Sequence, residues 1–402
     1  MIAEKSMKIK KTLVDKHANK VLAELEKNGY ESYLVGGCIR DLLLGLSPKD
    51  FDVATTAKVS QVVSLFRHAM QIGRRFPIAH VRFYNMVVEV TTLQTEKRSL
   101  WQRIFGKKSP NVLLEDAHRR DFTVNALYYN PGKDLLQDPL DGTSDIKARV
   151  IRSIGDAQKR VQEDPIRMLR AVRLAAKLKF KIDPELKEAI SQHKEKLLEG
   201  SSQRLFQEFV KIVMSGRSFE SWKLMSQCGL LDILVPKVRQ QDAPFHTEGL
   251  KLSDERIMSG KKVSLIYALA MIFWPGFQHA VGRMPFKVRH DWSNILNKIM
   301  APLQVPAKVK EGILQLYELQ FAMQFGRADK LQHIIANHRF KASYDFLMMR
   351  AASDPTIYQS ASWWYDFFHS EEWVQAHMLR DRMFREARRQ KSGGRPHKKR
   401  RK

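Results

Sequence analysis

Cysteine is nearly absent: the 402 residues hold two, Cys38 and Cys228. Two thiols exclude a disulfide framework and a cysteine-built zinc cluster, and they suit a reducing cytoplasm. Nowhere is there an unbroken apolar run of the ~20 residues needed to cross a bilayer, so no stable membrane insertion is expected. The opening stretch MIAEKSMKIKKTLVDKHANK is basic and lacks the apolar core and small-residue cleavage site of a secretory signal. No repeat of fixed period is visible. Acids are scarce beside bases, 43 Asp and Glu against 69 Lys and Arg, which leaves a net charge of +26. Apolar residues at 44% and charged residues at 28% argue against wholesale disorder. At about 150 residues per domain, the length implies two or three domains.

A positive surplus of this size points to a polyanion, with nucleic acid the default, because each neutralised phosphate releases counterions. The surplus is concentrated at the C-terminus. From Arg380 to Lys402 there are 12 Lys and Arg against two acids, Asp381 and Glu386, and residues 379–402 read as a disordered basic tail.

Helical spacing of Val14, Ala18, Val21, Leu22 and Leu25 predicts a helix ending at Gly29. A short strand, SYLV, then meets Gly36-Gly37 and a helix start. KDFDVATT reads as a second strand, Val59 to Met70 as a helix, and HVRFYN with MVVEVTTL as a hairpin turning near Asn85. Gln94 to Pro110 reads as an irregular basic loop. Beyond Asp116 the pattern is mostly helical, with breaks that include Pro236–Pro244, Pro275–Gly276 and Pro302–Pro306. The expected organisation is a head over 1–150, a neck over 151–235, a helical RNA-binding body over 236–378, and the tail.

Three local features carry chemistry. Paired glycines between a strand and a helix let backbone N–H groups approach a phosphate, and Arg40 adds a charge-assisted contact, although a tight turn with an incidental arginine fits equally well. Asp50 and Asp52 share one face of a strand, with Phe51 on the other. Two carboxylates side by side repel unless a cation lies between them, which makes them natural Mg²⁺ ligands; the alternative is a solvated edge strand. Glu89 and Asp121 are candidates to join them. Arg119 and Arg120 would clamp a triphosphate or neutralise Asp121. The third feature is EDPIRMLRAVRLAAKL, a helix capped by Asp164 and Pro165. It has an apolar stripe of Leu169, Val172 and Ala176, and Arg167, Arg170 and Arg173 lie a turn apart. A carboxylate and a guanidinium at fixed spacing can read a base edge, while the other arginines reach phosphates. A solvated basic helix face is the plainer reading.

LVGGCIRDLLLG, KDFDVAT, EVTT, RRDFTVNALYYNP, DPLDGTSDIKARVIRSIG and EDPIRMLRAVRLAAKL stand in the order found in class II nucleotidyltransferases, and from Tyr33 to Asp183 the chain resembles that family densely. The family contains bacterial poly(A) polymerases and CCA-adding enzymes. QIGRRFPIAHV (Gln71 to Val81), HRFKASYDFLMMRA (His338 to Ala351) and the basic tail resemble its poly(A) polymerases. After EVTTL the family usually carries an arginine, where this chain has Gln94, and the loop to Glu115 is short and lacks the usual glycine-rich stretch.

The resemblance implies an α+β fold, a polymerase-β-like head of mixed sheet and helices followed by helical neck, body and C-terminal domains. It implies that Asp50 and Asp52 hold two Mg²⁺ ions, with Asp121 as the third active-site carboxylate. Gly36, Gly37, Arg40, Arg120, Arg170 and Arg173 would contact the triphosphate of ATP, and Asp164 with Arg167 would select the base. The implied activity is addition of AMP to RNA 3′ ends, in RNA processing and decay and in the company of RNA-decay proteins. CCA addition to tRNA is the alternative. A non-catalytic RNA-binding relative is a third reading.

Overall fold

The structure, a computed structural model, describes residues 9–73, 77–84, 86–93, 112–237, 242–282, 285–326 and 330–392. Gln94, the loop expected from Gln94 to Pro110, the turn residue Asn85, and the end of the tail from 393 lie outside the described residues. Two compact units make up the chain, Met1–His193 and Lys194–Lys402.

In the first unit, α1 (Lys16–Lys27) forms where expected. Asp15 caps it by accepting from the backbone N–H of His17 at 2.6 Å, and Ala18, Val21, Leu22 and Leu25 are its buried face. Each fully buried Val or Leu there contributes about 1.5–3 kcal/mol. Next come β1 (Ser32–Val35), α2 (Gly37–Leu43), β2 (Asp52–Thr55), α3 (Val59–Leu65), β3 (Ala69–Ile72), β4 (Ile78–Arg82) and β5 (Val87–Thr92). They are followed by α4 (Val112–Arg119), β6 (Tyr128–Asn130) and β7 (Leu135–Gln137). The seven strands form one mixed sheet in the order β3-β4-β5-β2-β1-β6-β7. All neighbours are antiparallel except β2 and β5, which run parallel.

The expected hairpin is the β4–β5 pair. The helix expected to reach Met70 stops at Leu65, because Ala69–Ile72 pairs with β4 as an edge strand. Strands β6 and β7, which follow Asp116, are absent from the sequence-based expectation. At three residues each, they are too short to show a period of two.

The unit continues through α5 (Gly142–Ala148), β8 (Val150–Ile151), α6 (Ala157–Glu163), α7 (Ile166–Leu178), β9 (Lys181–Ile182) and α8 (Pro184–His193). Strands β8 and β9 pair in parallel across the position where a head–neck boundary was expected, and Arg152 bridges Asp145 at 3.2 Å and Asp183 at 2.6 Å. The segment 151–193 therefore packs with the head.

The second unit is helical: α9 (Ser202–Val213), α10 (Ser218–Gln227), α11 (Leu230–Leu234), α12 (Ala243–Met258), α13 (Leu265–Val281), α14 (Trp292–Ile299), α15 (Ala307–Phe325), α16 (Leu331–Ile335), α17 (Phe340–Ser353), α18 (Tyr358–His369) and α19 (Glu372–Ser392). The break expected at Pro275–Gly276 is absent. Helix α13 runs through Pro275 because eleven of its residues are buried, among them Phe273, Trp274 and Phe277, and their packing outweighs one lost backbone hydrogen bond. The aromatic run from Ser362 to Trp373 is divided: Trp364 and Phe367 are core, whereas Tyr365 and Trp373 are exposed. Residues 379–392, expected within a disordered tail, extend α19. Among the described residues no helix is long and apolar enough to cross a membrane.

Candidate active site

The site is built on the end of β2 and the turn that opens α2. Val53 and Phe51 are buried on one face of the sheet, which sends Asp52 to the other. Asp52 is the first residue of β2. Asp50, expected beside it in the strand, precedes the strand and is exposed. Asp52 stands in register with Glu89 on the parallel strand β5, and Glu89 is in turn opposite His80, whose Nε2 lies 3.4 Å from the Glu89 carboxylate.

Burial, and then the charges of Glu89 and Asp50, push the Asp52 carboxyl up from 3.8 to about 6, with the Arg120 guanidinium pulling the other way. No described residue donates a hydrogen bond to that carboxylate. A partly buried carboxylate flanked by two others, with no described donor to it, has the chemistry to accept an added cation. Among the described residues no group of three or more His, Cys, Asp or Glu side chains is placed to hold a metal ion. Asp52 with Asp50 offers the one or two carboxylates by which Mg²⁺ is commonly bound, the rest of its shell being water and substrate phosphate.

Gly36 closes the strand–helix turn with φ +78°, a conformation that favours glycine. A Cβ there would come within 3.5 Å of Arg120 Nη1 and 3.9 Å of Asp52 Oδ2. The turn, the arginine and the aspartate therefore surround one small space. Arg120 is fixed from behind. Its Nε donates to Asp116 Oδ2 and to the Tyr128 hydroxyl, both at 3.1 Å, its Nη2 donates to Asp116 at 3.0 Å, and the Tyr128 hydroxyl donates to the same carboxylate at 2.7 Å. This leaves Nη1 on the Gly36 side. Arg119 also pairs with Asp116, at 3.5 Å, so neither arginine neutralises Asp121.

Arg40, expected at a triphosphate, is turned inward and 4% exposed. It donates to Asp41 through Nε at 2.9 Å and Nη2 at 2.6 Å, and to Asn125 Oδ1 through Nη1. Its guanidinium underlies Gly37, whose absent Cβ would lie 3.3 Å from Nη2. Arg40 holds the turn from beneath.

Asp121, expected as a third active-site carboxylate, has both oxygens occupied. They accept from Phe122 N at 2.9 Å, Asn125 Nδ2 at 3.0 Å, and Arg170 Nε at 2.8 Å and Nη2. Although burial alone would raise it, Arg170 and these donors hold the carboxyl below its ordinary range. A saturated, paired carboxylate is poor as a base and poor as a metal ligand. Its evident work is to aim Arg170. Lys177 on the same helix reaches Asp41 at 3.3 Å. A chain of contacts therefore runs from Asp41 through Arg40, Asn125 and Asp121 to Arg170, and it ties the glycine turn to α7.

Helix α7 begins at Ile166, with Pro165 as its cap and Asp164 just before. Its buried side is broader than the expected stripe and includes Ile166, Met168, Leu169, Val172 and Ala176. Arg167, Arg170 and Arg173 are only partly buried. The Arg167 backbone N–H donates to the Asp164 carbonyl at 3.0 Å, so the two candidate base-reading side chains leave one turn of backbone. Arg167 Nη1 donates to the Arg160 carbonyl at 3.3 Å, and burial, then Arg160, lower its pKa. Arg160 Nη2 in turn donates to the Arg120 carbonyl at 2.6 Å.

Asp116, Tyr128, Asn125 and Arg160 are the residues that sequence reasoning missed as parts of the site. Only Asp116 carried a signal, since it precedes Arg120 by four residues, the spacing of one helical face.

Three family models match the chain: the poly A polymerase head domain over residues 32–152, the probable RNA and SrmB-binding site of polymerase A over 179–241, and the polymerase A arginine-rich C-terminus over 288–402. The poly(A) polymerase I of Escherichia coli O157:H7 is 34% identical over 397 residues, which cover 92% of this chain and 85% of that protein. The corresponding protein of Haemophilus influenzae is 32% identical, covering 88% and 84%. A CCA-adding enzyme of Lactobacillus delbrueckii subsp. bulgaricus is 37% identical over 223 residues, 55% of this chain and 56% of that one. Among solved structures, an apo tRNA-processing enzyme has a TM-score of 0.66 at 19% identity, covering 93% of this chain and 99% of that one. The Bacillus stearothermophilus CCA-adding enzyme in complex with CTP scores 0.62 at 24%, covering 91% and 81%. These structures share the fold, a mixed-sheet head and a helical remainder.

Proposed function

Because the chain belongs to the class II nucleotidyltransferase family, we propose that it is a polynucleotide adenylyltransferase that adds AMP from ATP to RNA 3′ ends without a template. One observation carries the choice within the family. Sequence similarity to the poly(A) polymerase I of Escherichia coli O157:H7 extends over 92% of the chain, whereas sequence similarity to the Lactobacillus delbrueckii CCA-adding enzyme covers 55%.

Asp50 and Asp52 would hold the two Mg²⁺ ions, which when bound supply positive charge for the attacking hydroxyl and for the departing pyrophosphate. The protein's own share is positioning. The Gly36 N–H is spent on the Leu127 carbonyl at 3.2 Å, so the Gly37 N–H and Arg120 Nη1 receive the triphosphate, and Arg170 and Arg173 add charge along α7. Asp164 and Arg167 hydrogen-bond the base edge and prefer adenine. No covalent intermediate is needed, since phosphoryl and nucleotidyl transfer depend mainly on orientation and charge. RNA decay, with RNA-decay proteins as partners, is the setting we propose for the tails made.

The test offers the purified protein ATP, CTP or both with Mg²⁺, on unstructured RNA and on tRNA lacking its terminal CCA. Long adenylate tracts on unstructured RNA from ATP alone are expected. Addition of two C and one A, on the tRNA only, would show a CCA-adding enzyme instead. The 37% identity to a CCA-adding enzyme over 223 residues favours that second reading. No incorporation of any nucleotide would show a non-catalytic relative.

A further inference from the structure

The second unit contains a cleft of about 650 Å³ between α12, α13 and α17, which no comparison assigns. Its size is in the range of small-molecule sites. The lining is of two kinds. Leu252, Tyr267, Met348 and Met349 make an apolar floor, on which Leu252 is 47% exposed and therefore offers uncovered apolar surface. Tyr267 is held edge-on against Phe346, with ring centroids 5.6 Å apart, and its hydroxyl points to the Met349 sulfur at 4.0 Å. The tyrosine thus spends its polar end inside the wall, and its position is set by packing.

Arg256 and Lys262, both exposed, are the cations lining the cleft, with Asp345 the single acid; Lys341 also lines it but turns its Nζ over the Phe368 ring, 4.9 Å from the centroid. An apolar, sulfur- and aromatic-lined slot with a cationic rim matches a ligand that is flat and apolar at one end and anionic at the other. A groove of this volume is too small for a docked helix and large enough for one nucleotide.

We propose that this cleft holds one unstacked nucleotide of the RNA substrate, its base on the Tyr267–Met349 floor and its phosphates against Arg256 and Lys262. The proposal rests on the RNA 3′-end reading above and names a second point at which RNA is gripped. Base burial against aromatic and sulfur groups tolerates any base, so the site adds affinity without sequence preference.

Ala342 lines the cleft on α17 and is partly buried. Ala342→Trp in the full chain fills the slot without removing charge. Binding of a fluorescein-labelled oligoadenylate, read by anisotropy, should weaken about tenfold, the scale of one lost stacked base. The double variant Arg256→Glu/Lys262→Glu should weaken it more than Lys298→Glu/Lys308→Glu, a charge-matched control on exposed positions elsewhere in the unit. An oligoadenylate carrying 8-azidoadenosine should crosslink to the floor residues upon irradiation. AMP incorporation on a saturating primer should stay unchanged in Ala342→Trp. Oligoadenylate affinity unchanged in Ala342→Trp, or equal losses in the two double variants, would overturn the proposal while leaving the RNA reading intact. Wild-type protein that binds no RNA at all would overturn the underlying reading as well.

Discussion

The metal-free protein should become more stable when its central acid is made neutral. Asp52 is pushed from 3.8 to about 6 by burial and by Glu89 and Asp50, against the pull of Arg120. Between those two values the folded state keeps a proton that the unfolded state has lost, so stability falls as pH rises through that window. Above about pH 6 the full penalty applies, and a shift from 3.8 to about 6 is worth about 3 kcal/mol. Asp52→Asn keeps the shape and removes the charge. In EDTA at about pH 7.5, urea unfolding should show the variant more stable by up to about 3 kcal/mol, and at about pH 3, below both values, that gain should be gone. Mg²⁺ should stabilise wild type far more than the variant, because a ligand that binds only the folded state shifts the equilibrium by mass action. Nucleotide incorporation should be lost. A variant no more stable than wild type at neutral pH, or stabilised equally at both pH values, would refute the picture of a site strained by uncompensated negative charge. Asp50→Ala should also abolish turnover, but with little gain in stability, since Asp50 is exposed.

Three further outcomes follow from the geometry. Tyr128→Phe removes the hydroxyl that links Arg120 to Asp116, so KM for ATP should rise several-fold with a smaller change in kcat and a stability loss of about 1 kcal/mol. An unchanged KM would show that Arg120 needs no such brace. Asp121→Asn should cost about 2 kcal/mol by leaving the partly exposed Arg170 without its carboxylate. Here the pH dependence reverses: the Asp121 carboxyl is held low, so its contribution is present above the ordinary carboxylate range and lost as pH falls through the folded value. A wild-type acid limb identical to that of the variant would contradict it. Arg167→Ala should lower the preference for ATP over CTP more than it weakens triphosphate binding, as competition between labelled nucleotides would reveal.

Local pattern alone determined a good deal. The glycine pair after a strand and the start of an arginine-bearing helix at Asp164-Pro165 are short-range signals found where spacing and backbone preference put them, whereas of the two aspartates flanking Phe51 only Asp52 lies in the strand. Composition had already pointed to a polyanion.

What the tertiary structure decided is the division of labour among similar side chains. Asp121 and Asp52 look alike in sequence, yet one faces Arg170 and is saturated, while the other faces Glu89 and is not. That outcome depends on the parallel pairing of β2 with β5 and on α7 packing beside the glycine turn, contacts between residues 37 and 49 positions apart. Arg40 and Arg120 divide in the same way, one sealed beneath the turn and one braced with a guanidinium nitrogen toward it. Whether a charge is buried, paired or left waiting for a cation is a property of the space around it, and only folding creates that space.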